Sequence, residues 1–134
     1  MIFKKIIYLF LIYFLVACSC KNNDKNAYIE LYSSMLEMLK RYIAILEKIK
    51  IEQCISNKNE QEIIEIQEKI IKIQKNSEKF PLEMDNDIEI KEKLKNILIK
   101  IEIYNLYIIS LQQKIKKING ANTIFEKLYK KSID

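Results

Sequence analysis

The chain has 134 residues, a formal net charge of +5, one glycine, one proline and no histidine. A single glycine excludes a glycine-rich phosphate loop, and without histidine any catalytic base would have to be a lysine or a carboxylate. So little glycine and proline favours long helices over a loop-rich sheet protein.

Residues 1–18 have the three parts of a secretory signal. Lys4 and Lys5 form a basic start, residues 6–16 carry no charge, and the small residue Ala17 precedes Cys18. The run from residue 6 to residue 18 is 13 residues long. A membrane-spanning helix needs roughly 20. We therefore expect a removable N-terminal signal helix, with an uncleaved membrane anchor as the alternative.

The signal ends in Leu15-Val16-Ala17-Cys18, which resembles the lipobox of bacterial lipoproteins. The resemblance covers residues 1–20 only and implies cleavage by signal peptidase II before Cys18. It further implies that Cys18 becomes the first mature residue and carries an S-diacylglyceryl group and an N-acyl group. The implied location is the exported side of the cell membrane or the outer membrane, and Ser19 favours the outer membrane by analogy with Gram-negative lipoproteins.

The other two thiols belong to Cys20 and Cys54. Cys20 is a competing lipidation site, although its preceding residues fit the lipobox less well. A continuous first helix would place Cys54 about 40 Å from Ala27, whereas the chain from Cys20 to Ala27 reaches at most about 25 Å. We therefore expect no bridge between them. Cys54 is expected to be a small buried residue, and Cys20 a free thiol, a second acyl site or a dimer link.

The mature chain is predicted to be one small domain. Removal of residues 1–17 leaves 117 residues with a formal charge of +3, because the signal holds two lysines and no acid. Residues 18–26 form a polar tether, and residues 27–134 form the helical domain. Lysines alternate with glutamates throughout, so we expect a solvated charged surface and no binding of nucleic acid.

Heptad spacing predicts a first helix over residues 27–55. Its seam residues are Tyr28, Tyr32, Met35, Leu39, Tyr42, Leu46 and Ile49. Leu31, Met38 and Ile45 widen this stripe, so the helix should contact more than one neighbour.

A second helix is predicted over residues 60–79. Its seam residues are Ile63, Ile66, Ile70 and Ile73. Asn59 and Glu62 have the spacing of a capping box, and Phe80-Pro81 ends the helix.

The strongest pattern predicts a third helix over residues 87–119. Its seam residues are Ile90, Leu94, Ile97, Ile101, Tyr104, Ile108, Leu111, Ile115 and Ile118. Nearly every position between Ile103 and Leu111 is apolar, so this helix is expected to be the central one, buried on all sides. Gly120 is placed to end it as the C′ residue.

The last segment, residues 121–134, is predicted to begin with a capping box of Thr123 and Glu126 and to fold back on the end of the third helix. The predicted fold is all-α: an antiparallel up-down bundle of three long helices with a short C-terminal helix.

No catalytic, cofactor-binding or metal-binding residues are predicted. Glu60, Glu62 and Glu65 gather at the start of the second helix, where the helix dipole favours acids, and no histidine is present to complete a metal site. Six tyrosines of the mature chain could form a core or a binding surface: Tyr28, Tyr32, Tyr42, Tyr104, Tyr107 and Tyr129. Core packing explains most of them. The best candidate for a partner-facing patch is Tyr107 with Ile103 and Leu106.

The sequence therefore predicts a lipid-anchored cell-envelope protein that binds an envelope or host protein and is not an enzyme. Membrane lipid is expected as a second partner, through Cys18. One alternative is a self-assembling coiled-coil spacer or adhesin-like lipoprotein, because isoleucine at both seam positions favours homo-oligomers. A more remote alternative is an envelope enzyme with an unrecognised site.

Overall fold

The computed structural model describes residues 25–78 and 88–133. They form four helices: α1 (Lys25–Glu52), α2 (Asn57–Glu78), α3 (Ile88–Ile115) and α4 (Ala121–Ile133). These two stretches contain no strand, which confirms the predicted all-α class. The predicted signal helix, the lipobox with Cys18, the tether thiol Cys20 and the Phe80-Pro81 stop lie outside the described residues.

Helix α1 is the centre of the fold. It packs along both α2 and α3, whereas α2 and α3 make few close backbone contacts with each other. All seven predicted seam residues of α1 are buried, and Leu36 and Ile45 are buried beside them. This wide stripe lets one helix serve two neighbours. The expectation that the third helix is central was therefore wrong.

Helix α3 buries only one of its faces. Its buried apolar residues are Leu94, Ile101, Ile108, Leu111 and Ile115. Ile97 and Tyr104 pack against the core at the edge of this face, as does Ile118 in the turn after the helix. Asn105 is also buried, because it lies one turn after Ile101 on the same face. Ile103 lies about 200° around the helix from Ile101 and is exposed. The expectation of a helix buried on all sides was therefore wrong.

Helix α2 starts earlier than predicted, at Asn57. The hydroxyl oxygen of Ser56 accepts a hydrogen bond from the backbone N–H of Asn59 at 3.1 Å, so Ser56 is the N-cap. Asn59 is buried within the first turn, and the predicted capping box with Glu62 is wrong. The seam prediction was better: Ile63, Ile66 and Ile70 are buried, and Ile73 packs against the core.

Helix α4 begins at Ala121, so Thr123 and Glu126 lie inside it and do not form its cap. Its backbone contacts are with α2, where the ammonium group of Lys127 lies 3.1 Å from the carboxylate of Glu60. Four α4 residues are buried in the common core: Ala121, Ile124, Phe125 and Leu128. The core therefore extends from α1 to the C-terminal helix.

The structure describes two of the links between helices, residues 53–56 and 116–120, and each of these contains one residue with a left-handed backbone conformation. Gly120 has φ +87° and ends the turn that follows α3, which itself stops at Ile115 and not at residue 119. Gln53 has φ +54° and closes α1, its N–H donating to the carbonyl oxygen of Ile49 at 2.8 Å. Cys54 follows directly in this link and its thiol is free and exposed, so the expectation of a buried Cys54 was wrong. Helix α1 ends at Glu52, two residues before Cys54, so the buried stripe of this helix does not extend to the thiol.

Candidate functional site

A row of exposed apolar side chains runs along α3 on the face opposite the core. Ile99, Ile103 and Leu106 are 44%, 55% and 57% exposed, and we call these three residues the outer seam. Their spacing of four and three residues places them on one side of the helix. Helix α3 is thus apolar on two faces, of which only one is covered among the described residues.

The outer seam includes two of the three residues that the sequence marked as a partner patch. The third, Tyr107, borders the seam and is 39% exposed. Ile99 was missed, although it continues the same spacing one turn earlier. Helical spacing could have identified it, because Ile99 lies about 160° around the helix from Ile101 and therefore opposite the buried stripe.

Tyr107 is held by the neighbouring helix. Its hydroxyl donates a hydrogen bond to the carboxylate of Glu47 on α1. This bond, with a smaller effect of desolvation, raises the pKa of the Tyr107 phenol above its ordinary value. The ring therefore sits at the border between α1 and the outer seam, with its position set by a contact between helices.

A buried polar pair joins α1 to α3 below this surface. The amide nitrogen Nε2 of Gln112 donates to the hydroxyl oxygen of Tyr42 at 2.9 Å, and both side chains are buried. Burial raises the pKa of Tyr42 to about 12, with the bond from Gln112 acting in the opposite direction. A buried pair of this kind favours one alignment of two helices, because any slip leaves both polar groups without a partner.

The helix that carries the outer seam is mildly basic. Helix α3 contains five lysines and three acids, a net charge of +2. Lys93 forms an ion pair with Glu89 at 2.8 Å. Lys95 and Lys100, which flank the outer seam, form no ion pair with any residue that the structure describes.

An open groove of about 360 Å³ lies beside the N-terminal half of α3. Its lining residues are Lys91, Leu94, Lys95, Leu98, Ile99 and Glu102. Ile99 belongs to both the groove and the outer seam, so the two features form one continuous apolar surface.

Most of the other tyrosines lie in the core, and the acids at the start of α2 form no site. Tyr28, Tyr32 and Tyr42 are buried and Tyr104 is packed against the core, as expected of core residues. The acids Glu60, Glu62 and Glu65 do not converge, and Glu60 pairs with Lys127. Within residues 25–78 and 88–133, no three metal-binding side chains gather in one place, and no helix is long and apolar enough to cross a membrane.

Comparisons with protein-family models, with curated proteins and with solved structures give no match to this chain.

Proposed function

We propose that this chain is a lipid-anchored protein of the bacterial cell envelope that acts by binding another protein and not by catalysis. The observation that carries the proposal is the outer seam of α3. Three large aliphatic side chains are about half exposed in a row, on the face of the helix that points away from the core. Scattered exposed apolar residues are normal, but a row at helical spacing is typical of a surface that another element covers.

The anchor in this proposal is Cys18, acylated and diacylglyceryl-modified after cleavage of residues 1–17. Two or more acyl chains hold a protein stably on a membrane, whereas one holds it only marginally. Residues 18–26 then act as a short polar tether. The helical domain is held close to the exported face of the cell membrane or the outer membrane, where its partner is an envelope or host protein.

The proposed arrangement of the domain is an antiparallel up-down bundle with α1 in the middle. The link of residues 53–56 between α1 and α2 is short, which favours antiparallel neighbours. The link after α3 is also short, and α4 reaches the first turn of α2 through Lys127 and Glu60. These contacts support an up-down-up order, in which the end of α3 would lie near the end of α1.

The anchor is tested by labelling growing cells with a palmitate analogue. The wild-type chain is expected to carry the label, and Cys18→Ala should abolish both the label and the cleavage, since signal peptidase II acts after the cysteine is modified. Cys20→Ala is the matched control and should be labelled and cleaved normally. A label that survives Cys18→Ala but disappears with Cys20→Ala would assign the anchor to the other cysteine, and an unlabelled wild-type chain would reject a lipid anchor.

The interaction is tested by photocrosslinking in intact cells, with a benzophenone amino acid in place of Ile103. We expect a covalent adduct with a different protein, seen by mass spectrometry. The control places the same group at Ile51, which is 79% exposed and lies near the end of α1. Equal crosslinking from both positions, or none from position 103, would contradict a specific partner surface.

A further inference from the structure

We propose that the outer seam of α3 binds an amphipathic helix with acidic residues beside its apolar stripe. This inference rests on the proposed function, because it presumes that a protein covers this face. It goes further by naming the chemistry of the partner segment, which follows from the geometry and charge of α3.

The shape of the outer seam fits a helical partner. Ile99, Ile103 and Leu106 span two turns of α3, a length of about 10 Å. Alternating steps of four and three residues are the spacing through which one helix packs against another. A partner helix would present its own apolar residues at i, i+3 or i+4, and i+7 to meet them.

Two lysines lie beside the outer seam. Lys95 and Lys100 are exposed and lie on opposite sides of it, and Glu102 is the only acid in residues 95–107. Because neither lysine pairs with any residue described in the structure, both are available to a partner. Glutamate or aspartate next to the apolar stripe of the partner would meet them, as e and g residues do in a coiled coil.

A second copy of this chain is a poorer partner for the seam. Pairing two outer seams would bring together two α3 helices that each carry a net charge of +2, with Lys95 and Lys100 beside both seams. Like charge opposes a homodimer and favours a single acidic helix.

The test uses the absence of tryptophan from the chain. Leu106→Trp introduces one reporter at the seam, and the protein is held in nanodiscs of zwitterionic phosphatidylcholine. The probe is an 18-residue helical peptide with a leucine stripe at heptad spacing and glutamate at the flanking positions. Its twin has the same stripe and lysine in place of every glutamate. We expect the acidic peptide to shift the emission of the introduced tryptophan to shorter wavelength and to bind at least tenfold more tightly than its twin.

Two substitutions in the reporter protein locate the site. Ile103→Glu should weaken binding of the acidic peptide at least tenfold. Ile51→Glu, which changes a still more exposed isoleucine on α1, should leave it unchanged. Both positions are on the surface, and circular dichroism is recorded to check that both variants fold. Equal affinity for the two peptides, or equal effects of the two substitutions, overturns the proposal.

A basic apolar face could also bind a membrane surface. The same test distinguishes this case from a helical partner. Nanodiscs that contain brominated anionic lipid would quench the introduced tryptophan if α3 lies on the bilayer, and that result overturns the helix proposal. Failure of both peptides to bind, with the crosslink from position 103 intact, rejects the acidic helix and leaves the proposed function standing. Loss of that crosslink rejects the proposed function itself.

Discussion

Leu111→Ala is expected to lower the free energy of unfolding by about 3 to 4 kcal/mol, whereas Leu106→Ala should change it by less than about 0.5 kcal/mol. Both are leucines of α3, five positions apart, but Leu111 is 0% exposed and Leu106 is 57% exposed. Truncating Leu111 removes buried methyl groups and leaves a cavity between α3 and α1. Truncating Leu106 removes groups that already face water.

Urea denaturation followed by circular dichroism measures both values, and the slope with denaturant shows whether the transition stays two-state. Comparing Leu111→Ala with Leu106→Ala tests which of the two apolar faces of α3 is packed in the core. If Leu106→Ala proves the more costly substitution, α3 packs on α1 through the outer seam, and the proposed partner surface is wrong. Ile103→Ala gives an independent check and should be as mild as Leu106→Ala.

Tyr42→Phe is expected to change how stability depends on alkaline pH. Its pKa is about 12 in the folded chain and 10.0 ordinarily, so folding favours the neutral phenol. The contribution of this neutral phenol to stability is complete below pH 10 and is lost as the pH rises from 10 to 12. A difference of two pKa units corresponds to about 2 to 3 kcal/mol. The phenylalanine variant cannot ionise at this position, so its stability should not show this loss between pH 10 and 12.

At neutral pH, in contrast, Tyr42→Phe is expected to lower the stability of the fold. It leaves the amide of Gln112 buried without its acceptor, which costs about 1 to 3 kcal/mol. The wild-type chain should therefore be more stable than Tyr42→Phe at pH 8, and this advantage should shrink from pH 10 upward. Unfolding free energies at intervals between pH 8 and 11.5 measure the difference, in which the titration of other groups cancels.

The control for the neutral-pH loss is the double variant Tyr42→Phe, Gln112→Leu. Replacing both partners of a buried hydrogen bond with apolar groups of similar size is close to neutral. The double variant should recover most of the stability that Tyr42→Phe loses. A constant difference between wild type and Tyr42→Phe across the whole pH range would mean that the phenol of Tyr42 is not buried in the folded chain.

Heptad spacing was sufficient to find the core of α1. All seven of its predicted seam residues are buried, because a helix turns once in 3.6 residues and side chains at that spacing share one face whatever lies around them. The ends of the helices were less predictable. Ser56 and Asn59 are both good N-caps by residue type, and the bond from the N–H of Asn59 to Ser56 decides between them.

The candidate site was predictable in part. The excess of apolar residues between Ile103 and Leu111 indicated that α3 carries more than one apolar face, and Ile103, Leu106 and Tyr107 were selected from it. The same excess led to the expectation that α3 is central, since an apolar helix is usually surrounded. The role of Glu47 in holding Tyr107 could not be foreseen, because the two residues lie on different helices and share no local pattern.

By itself, the sequence determined that this protein is helical, which residues share a helical face and where the positive charge lies. These are local properties, set by spacing along the chain and by residue type. Only the tertiary structure decided that α1 and not α3 occupies the centre, and that Asn105 is inside while Ile103 is outside. Either apolar face of α3 is hydrophobic enough to have been the buried one. The choice depends on which face fits the wide stripe of α1, with Gln112 bonded to Tyr42, and that fit exists only when the helices are packed together.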